Sequence, residues 1–84
     1  MYDIVFTNKA EREFKKLERD TQERIISALE RCRLRPEAHF ERLVGDKGYK
    51  LRVGDYRVIA DIIHDKIIIL ILKVGHRKNV YNKP

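Results

Sequence analysis

The first half of the chain carries the apolar spacing of helices. After a β-prone run at residues 2–6, apolar side chains recur every three or four residues in two stripes, which predicts two amphipathic helices. These positions are Ala10, Phe14 and Leu17 in the first stripe, and Ile25, Ile26, Leu29 and Cys32 in the second. The link between the stripes, around Arg19 and Asp20, is very short, so the helices should form an antiparallel hairpin.

Polar residues mark where each predicted helix begins and ends. Asn8 is a candidate N-cap with Glu11 as its capping-box partner, and Asp20 with Glu23 repeats this signature. Pro36 should stop the second helix near the residue before it, because a residue that precedes proline avoids the α region.

In the second half the apolar period changes to two. Residues 50–53 and 56–63 alternate between apolar and polar and are separated by Gly54 and Asp55, a two-residue hairpin signal. Residues 67–74 are apolar on both faces, which predicts a strand in the interior of the sheet.

The order of these elements predicts the fold class. A β-α-α-β-β-β order, with a loop at 37–48 and a polar tail after Gly75, implies an α+β fold in which a two-helix hairpin packs on one face of an antiparallel sheet. We expect one domain over residues 1–84.

The turn at Gly54 and Asp55 fixes which strand residues face one another. The pairs are Val53 with Tyr56, Arg52 with Arg57, and Leu51 with Val58. Because side chains alternate between the faces of a strand, one set lies beneath the helices and the other on the opposite, open face. The core set is Leu51, Val53, Tyr56, Val58, Ala60 and Ile62, and the open set is Lys50, Arg52, Arg57, Ile59 and Asp61.

Three cations therefore gather on the open face. Arg52 directly opposite Arg57, with Lys50 beside them, is a repulsive arrangement that destabilises a sheet. Binding of an anion would offset that cost, and phosphate is suitable because its oxygens match the planar fork of arginine. The alternative is a solvated face on which the long side chains splay apart.

Length and composition exclude several classes of protein. The 84 residues, 43% hydrophobic and 38% charged, suffice for one small domain. The longest apolar run, residues 67–72, is far shorter than the ~20 residues of a membrane helix. Cys32 is the single cysteine, which excludes an internal disulfide, and no secretory signal pattern follows Met1. We therefore expect a cytoplasmic protein.

The net charge of +6 is unevenly distributed. Lysines and arginines balance aspartates and glutamates in residues 1–46, so the whole excess lies in residues 47–84. A basic half favours a polyanionic partner, with nucleic acid first, an acidic protein second and an anionic membrane third. The alternative is a charged surface that only keeps the protein in solution.

The tail adds groups that could take part in catalysis. His76 could be a general acid or base, Arg77 could stabilise charge on a reacting phosphate, and Tyr81 could stack on a base. Each could instead be ordinary solvated surface. The histidines and Cys32 lack the spacing of a metal site, and no phosphate-binding glycine loop is present, so we expect no metal and no cofactor.

The strand pair and the tail resemble a known family. Residues 49–59 (YKLRVGDYRVI), with VGHR at 74–77 and VY at 80–81, are similar to the RelE/ParE superfamily of toxins from toxin–antitoxin pairs. The resemblance covers nearly the whole chain, although Ala60 stands where a tyrosine is common. The superfamily includes ribosome-dependent mRNA endonucleases of the RelE type and DNA gyrase inhibitors of the ParE type.

The RelE branch implies a reaction and a set of site residues. A ribose 2′-hydroxyl would attack the adjacent phosphate of mRNA in the ribosomal A site, leaving a 2′,3′-cyclic phosphate and a 5′-hydroxyl. The implied catalytic residues are Lys50, Arg52, Arg57, His76, Arg77 and Tyr81, and the implied RNA-binding residues are Lys47, Lys73 and Lys78. Lys50 and His76 are alternatives for the general base, because arginine keeps its proton. The RelE branch usually has lysine where Arg52 stands.

The resemblance also implies partners. These are a RelB-like, acidic cognate antitoxin, in a heterodimer or heterotetramer, together with the ribosome and mRNA, and no membrane. The apolar residues Ile59, Ile68, Leu70 and Leu72 are expected on the open face or at its rim. An exposed apolar patch of this kind marks a partner surface, on which the antitoxin would dock, as it also could on the helical hairpin. A ParE-like gyrase inhibitor and a non-catalytic nucleic-acid-binding member remain the alternative functions.

Overall fold

The chain begins with a short strand, continues through helices and then forms the remaining strands, which is the order that the sequence pattern predicts. The computed structural model describes residues 1–45 and 48–80. Its elements are β1 (Asp3–Phe6), α1 (Asn8–Lys15), α2 (Arg19–Cys32), α3 (Pro36–His39), β2 (Glu41–Arg42), β3 (Tyr49–Val53), β4 (Tyr56–Ile63), β5 (Ile68–His76) and α4 (Arg77–Val80). Within the described ranges, no helix has the length and apolar character needed to cross a bilayer.

The strands form one mixed sheet in the order β1-β5-β4-β3-β2. β1 runs parallel to β5, whereas the other neighbouring strands are antiparallel. The predicted α+β fold class and the interior position of the last long strand are confirmed. The expectation of an entirely antiparallel sheet missed the parallel pair, because the partner of β1 lies near the other end of the chain and no local turn sets its direction.

Both predicted helices are present, but the N-cap of each lies earlier in the chain than predicted. Thr7 has an extended backbone and its hydroxyl accepts a hydrogen bond from the Ala10 amide at 3.1 Å, so Thr7, not Asn8, is the N-cap of α1. The N-cap of α2 is Glu18, which makes no side-chain capping bond, and the predicted cap Asp20 lies inside the helix.

A glutamine of α2 caps the C-terminal end of α1 at the helix junction. Gln22 Nε2 donates hydrogen bonds to the Leu17 carbonyl at 2.9 Å and to the Phe14 carbonyl at 3.1 Å. The last carbonyls of a helix have no partner within the helix, so these bonds satisfy the end of α1 while joining it to α2. At its other end α2 stops at Cys32, before the predicted boundary at Pro36.

The predicted loop at 37–48 contains two short elements. Pro36 is the first residue of α3, a position at which its missing N–H costs nothing, and it is buried together with Phe40. β2 follows, and its Glu41 pairs with Lys50 of β3. The loop prediction was wrong over these residues, because a strand of two residues is too short to show a periodicity.

The core lies between the helices and one face of the sheet. Its buried members are Ala10, Ile25, Ala28, Leu29, Cys32, Phe40, Leu51, Val58, Ala60, Ile62, Ile69, Ile71 and Val74. Val53 and Tyr56 pack against this cluster, so the core face predicted from the hairpin register is confirmed. Cys32 donates a hydrogen bond from Sγ to the Ala28 carbonyl and is buried, as expected of a small apolar residue.

The last strand is interrupted by a bulge. Ile59 lies opposite Lys73 and Ala60 opposite Ile71, so Leu72 is the extra residue in β5. The bulge shifts the alternation and allows both Ile71 and Val74 to face the core. The strand then continues through Gly75 to His76, two residues beyond the predicted last strand residue, Val74.

Candidate functional site

The hairpin between β3 and β4 positions two arginines side by side. Gly54 has a φ of +60°, a conformation that glycine adopts without steric cost. The turn pairs Val53 with Tyr56 and Arg52 with Arg57, which is the register predicted from the sequence.

These arginines and Lys50 surround one concave site on the open face. A pocket of about 230 Å³ is lined by His39, Glu41, Lys50, Leu51, Arg52 and Arg57, and we name it the cation pocket. The structure therefore brings together three of the residues that the resemblance implies, and they come from adjacent strands of a rigid sheet.

Arg57 is the most buried of these cations, with 7% of its surface exposed. Its Nη1 donates hydrogen bonds to the carbonyls of Tyr56 at 3.1 Å and Gly54 at 3.3 Å. The opposite position on β5 is Gly75, which has no side chain to compete for the space. The hydrogen bonds to the hairpin hold the Arg57 guanidinium in a defined position at the wall of the cation pocket.

An acidic residue also lines the cation pocket. β2 places Glu41 opposite Lys50, and the Glu41 carboxylate lies 3.7 Å from Lys50 Nζ. This carboxylate was absent from the predicted cluster because β2 was predicted as loop. It moderates the repulsion among the three cations and still leaves the lining of the cation pocket with more positive than negative charges.

His39 also lines the cation pocket and was missed by the sequence analysis. The available signal was the alternation of His39, Phe40 and Glu41, in which one apolar residue stands between two polar ones. Such a short pattern is not enough to assign a strand or to choose its partner. Only the pairing of β2 with β3 shows that this segment lies beside the arginines.

The structure places His76 away from the cation pocket. His76 lies opposite Tyr56 in the sheet, and their ring centroids are 5.5 Å apart in an edge-to-face arrangement. Tyr56 packs against the core, so His76 lies on the helix side of the sheet, whereas Arg57 lies on the open face.

The remaining predicted residues are dispersed. Arg77 is exposed at the start of α4, where its backbone amide donates to the Asp55 carbonyl of the hairpin turn at 2.9 Å. Lys78 is exposed on α4, and Lys73 is partly buried in the bulged part of β5. Tyr81 and Lys47 lie outside the described residues.

The one thiol is unsuited to nucleophilic chemistry. Burial raises the pKa of Cys32 to about 11 and outweighs the opposing effect of the Arg31 charge. The thiol therefore stays protonated at neutral pH, which agrees with its structural role in the core.

Comparison with known proteins identifies the family. The family model for the ParE toxin of the type II toxin–antitoxin system matches residues 4–81. The chain belongs to the RelE/ParE family of toxins of type II toxin–antitoxin systems. A putative RelE-like toxin protein of Escherichia coli is 30% identical in an alignment of 86 positions that covers 96% of this chain and 90% of that protein.

Solved structures of RelE/ParE toxins share the fold. A chain of the intact RelBE toxin–antitoxin complex of E. coli is 28% identical to this chain. The alignment covers 90% of this chain and 96% of the RelBE chain, and the two superpose with a TM-score of 0.77. A chain of the RelBE2 toxin–antitoxin complex of Mycobacterium tuberculosis is 25% identical, with coverages of 90% and 98% and a TM-score of 0.82. The RelE/ParE assignment made from the strand pair is therefore confirmed.

Proposed function

We propose that this toxin is a ribosome-dependent mRNA endonuclease. The observation that carries the proposal is the cation pocket, in which Lys50, Arg52 and Arg57 surround one concavity on the open face of the sheet. A cross-strand arginine pair costs a purely structural surface stability, whereas it matches a phosphodiester, whose negative charge is shared by two non-bridging oxygens.

The proposed reaction is transfer of the phosphate within the RNA. The ribose 2′-oxygen forms a bond to phosphorus, the bond from phosphorus to the 5′-oxygen breaks, and the products are a 2′,3′-cyclic phosphate and a 5′-hydroxyl. Arg52 and Arg57 would bind the non-bridging oxygens and stabilise the extra negative charge of the transition state. Lys50 would contribute further positive charge, and Arg77, at the adjacent end of the sheet, would contact the RNA backbone.

We also propose that a cognate antitoxin covers the open face when the toxin is inactive. Related toxins have been solved as RelBE toxin–antitoxin complexes. On this face the apolar residues Val5, Ile68 and Leu70 lie in neighbouring β1 and β5, and the cation pocket lies toward β3. An antitoxin segment with apolar and acidic side chains fits both parts of this surface. The complex would form in the cytoplasm, where the ribosomes are.

The test is cleavage of mRNA on translating ribosomes. Purified toxin added to a reconstituted translation reaction should produce mRNA cut within the A-site codon, with a cyclic phosphate at the new 3′ end. The Arg52→Ala, Arg57→Ala double variant should lose cleavage by about 10²-fold or more, as expected when groups that stabilise transition-state charge are removed.

A matched control separates the site from the total charge. The Lys9→Ala, Arg12→Ala variant removes two exposed positive charges from α1 and should cleave like the wild type. Equal loss in both double variants would show that only the net charge matters. Full cleavage by the Arg52, Arg57 variant would refute the proposed site.

Inhibition of DNA gyrase is the second candidate function, because the family model that matches residues 4–81 is described as a ParE toxin. A gyrase supercoiling assay with the same protein preparation distinguishes the two functions. Inhibited supercoiling with intact mRNA would favour gyrase inhibition and would overturn the endonuclease proposal.

A further inference from the structure

His39, the last residue of α3, lies at the cation pocket with the arginine pair. Two residues after it, β2 pairs Glu41 with Lys50 of β3, which brings the end of α3 to the edge of the sheet. Between them Phe40 has an extended backbone, is 5% exposed and belongs to the buried core cluster. The His39 side chain is exposed and lines the cation pocket.

The segment around His39 is held on both sides. Pro36 and Phe40 are buried, and the Phe40 amide donates to the Pro36 carbonyl at 2.9 Å. Glu37 of the same helix lies 3.1 Å from His64 Nε2, and His64 Nδ1 lies 2.8 Å from the Tyr2 hydroxyl. The imidazole of His39 is therefore presented from a fixed backbone, as a proton-transfer group must be.

We propose that His39 is the general base of the cleavage reaction, and this inference rests on the proposed endonuclease function. A neutral ring nitrogen of His39 accepts the proton of the 2′-hydroxyl as the 2′-oxygen attacks phosphorus. The 5′-oxygen takes up a proton from solvent water as its bond to phosphorus breaks. His39 thus takes the role that the sequence analysis left between Lys50 and His76.

The groups that share the cation pocket favour this assignment. His39 faces the carboxylate of Glu41 from β2, the cations Lys50 and Arg52 from β3, and Arg57 from β4. Arginine keeps its proton at any pH at which the protein functions. The Lys50 ammonium group forms an ion pair with the Glu41 carboxylate at 3.7 Å. Imidazole is the side chain that accepts and releases protons near neutral pH.

The test compares wild type, His39→Gln and the control Ala38→Gln in the ribosomal cleavage assay. Ala38 is an exposed neighbour on α3 and is not part of the cation pocket lining, so its variant places the same side chain one residue away. We expect His39→Gln to lower kcat by about 10²- to 10⁴-fold with little change in KM, as for removal of a general base. Ala38→Gln should retain wild-type kinetics.

One further readout excludes a purely structural role. Exogenous imidazole should restore part of the activity of His39→Ala, because it can take the place of the missing ring. Unchanged kcat in His39→Gln, or no rescue of His39→Ala by imidazole, would overturn this inference while the endonuclease function stands. Absence of cleavage by the wild type would overturn both proposals.

Discussion

The Glu13 carboxylate of α1 accepts a hydrogen bond from the backbone amide of Val74 in β5, at 2.9 Å. β1 ends at Phe6, level with Ile71, so this amide lies on the β5 edge beyond the part that β1 covers. A sheet edge exposes N–H groups that need a partner, and here a helix side chain supplies the acceptor. The same bond fastens α1 to the strand just after its bulge.

Removal of this acceptor should destabilise the fold. We expect Glu13→Ala to lower the free energy of unfolding by about 1–3 kcal/mol, the cost of leaving a part-buried N–H without its partner. Glu13→Gln should lose less, because the amide oxygen can still accept. Urea denaturation measures both values. Glu11→Ala, on the exposed side of the same helix, should change stability by no more than about 0.5 kcal/mol, and a similar loss there would contradict the assignment.

Ile67 offers a stabilising change. Its φ of +55° is in the left-handed region, where a β-branched side chain is strained, and the side chain is 48% exposed. We expect Ile67→Asn to raise stability by about 0.5–1 kcal/mol, since asparagine tolerates this conformation. Thermal unfolding should show a higher midpoint. Val44→Asn replaces another exposed apolar residue and serves as the control, with a change within about 0.5 kcal/mol.

The raised pKa of the buried Cys32 thiol should make the free energy of unfolding fall in alkaline solution. Burial raises its pKa from 9.0 to about 11, so the folded protein holds a proton that the unfolded chain releases above pH 9. Deprotonation then favours the unfolded state, and the contribution of the thiol to stability declines as pH rises from about 9 to 11. The measurement is the difference in unfolding free energy between wild type and Cys32→Ala across this range. A difference that stays constant with pH would contradict this expectation.

Glu41 should weaken binding of RNA at the cation pocket. Its carboxylate lies 3.7 Å from Lys50 Nζ and competes with phosphate for that cation. We expect Glu41→Gln to bind a non-cleavable 2′-O-methyl RNA about two- to five-fold more tightly at low salt, the range of an exposed ion pair. The control is Glu11→Gln, whose partner Lys15 also lies at 3.7 Å, but on α1. Equal effects of the two changes would mean that only net charge is sensed.

Local signals in the sequence predicted the arrangement of the arginine pair at the cation pocket. A two-residue turn between alternating strands sets its own register, so the placement of Arg52 opposite Arg57 followed from Gly54 and Asp55 alone. The core face of the hairpin followed from the same alternation. These features depend on neighbours in the chain, and such neighbours are visible in a single sequence.

Features that depend on distant partners were not predictable. No turn signal in the sequence determines the parallel pairing of β1 with β5 or the pairing of the edge strand β2 with β3. Because β2 was not predicted, Glu41 and His39 were absent from the predicted site. His76 lies in β5 because the strand extends beyond its predicted end. Its pairing with Tyr56 of β4 determines which face of the sheet its side chain occupies. In each case the deciding contact lies across a connection that carries no turn signal in the sequence.

The parallel pairing of β1 with β5 has a consequence for synthesis of the protein. Residues of β1 have their sheet partners far later in the chain, as Asp3 does with Ile68. During translation β1 is therefore made well before its partner and can join the sheet only after the helices, the β3–β4 hairpin and β5 have followed it. Closure of the sheet by β1 is for this reason a late event in folding.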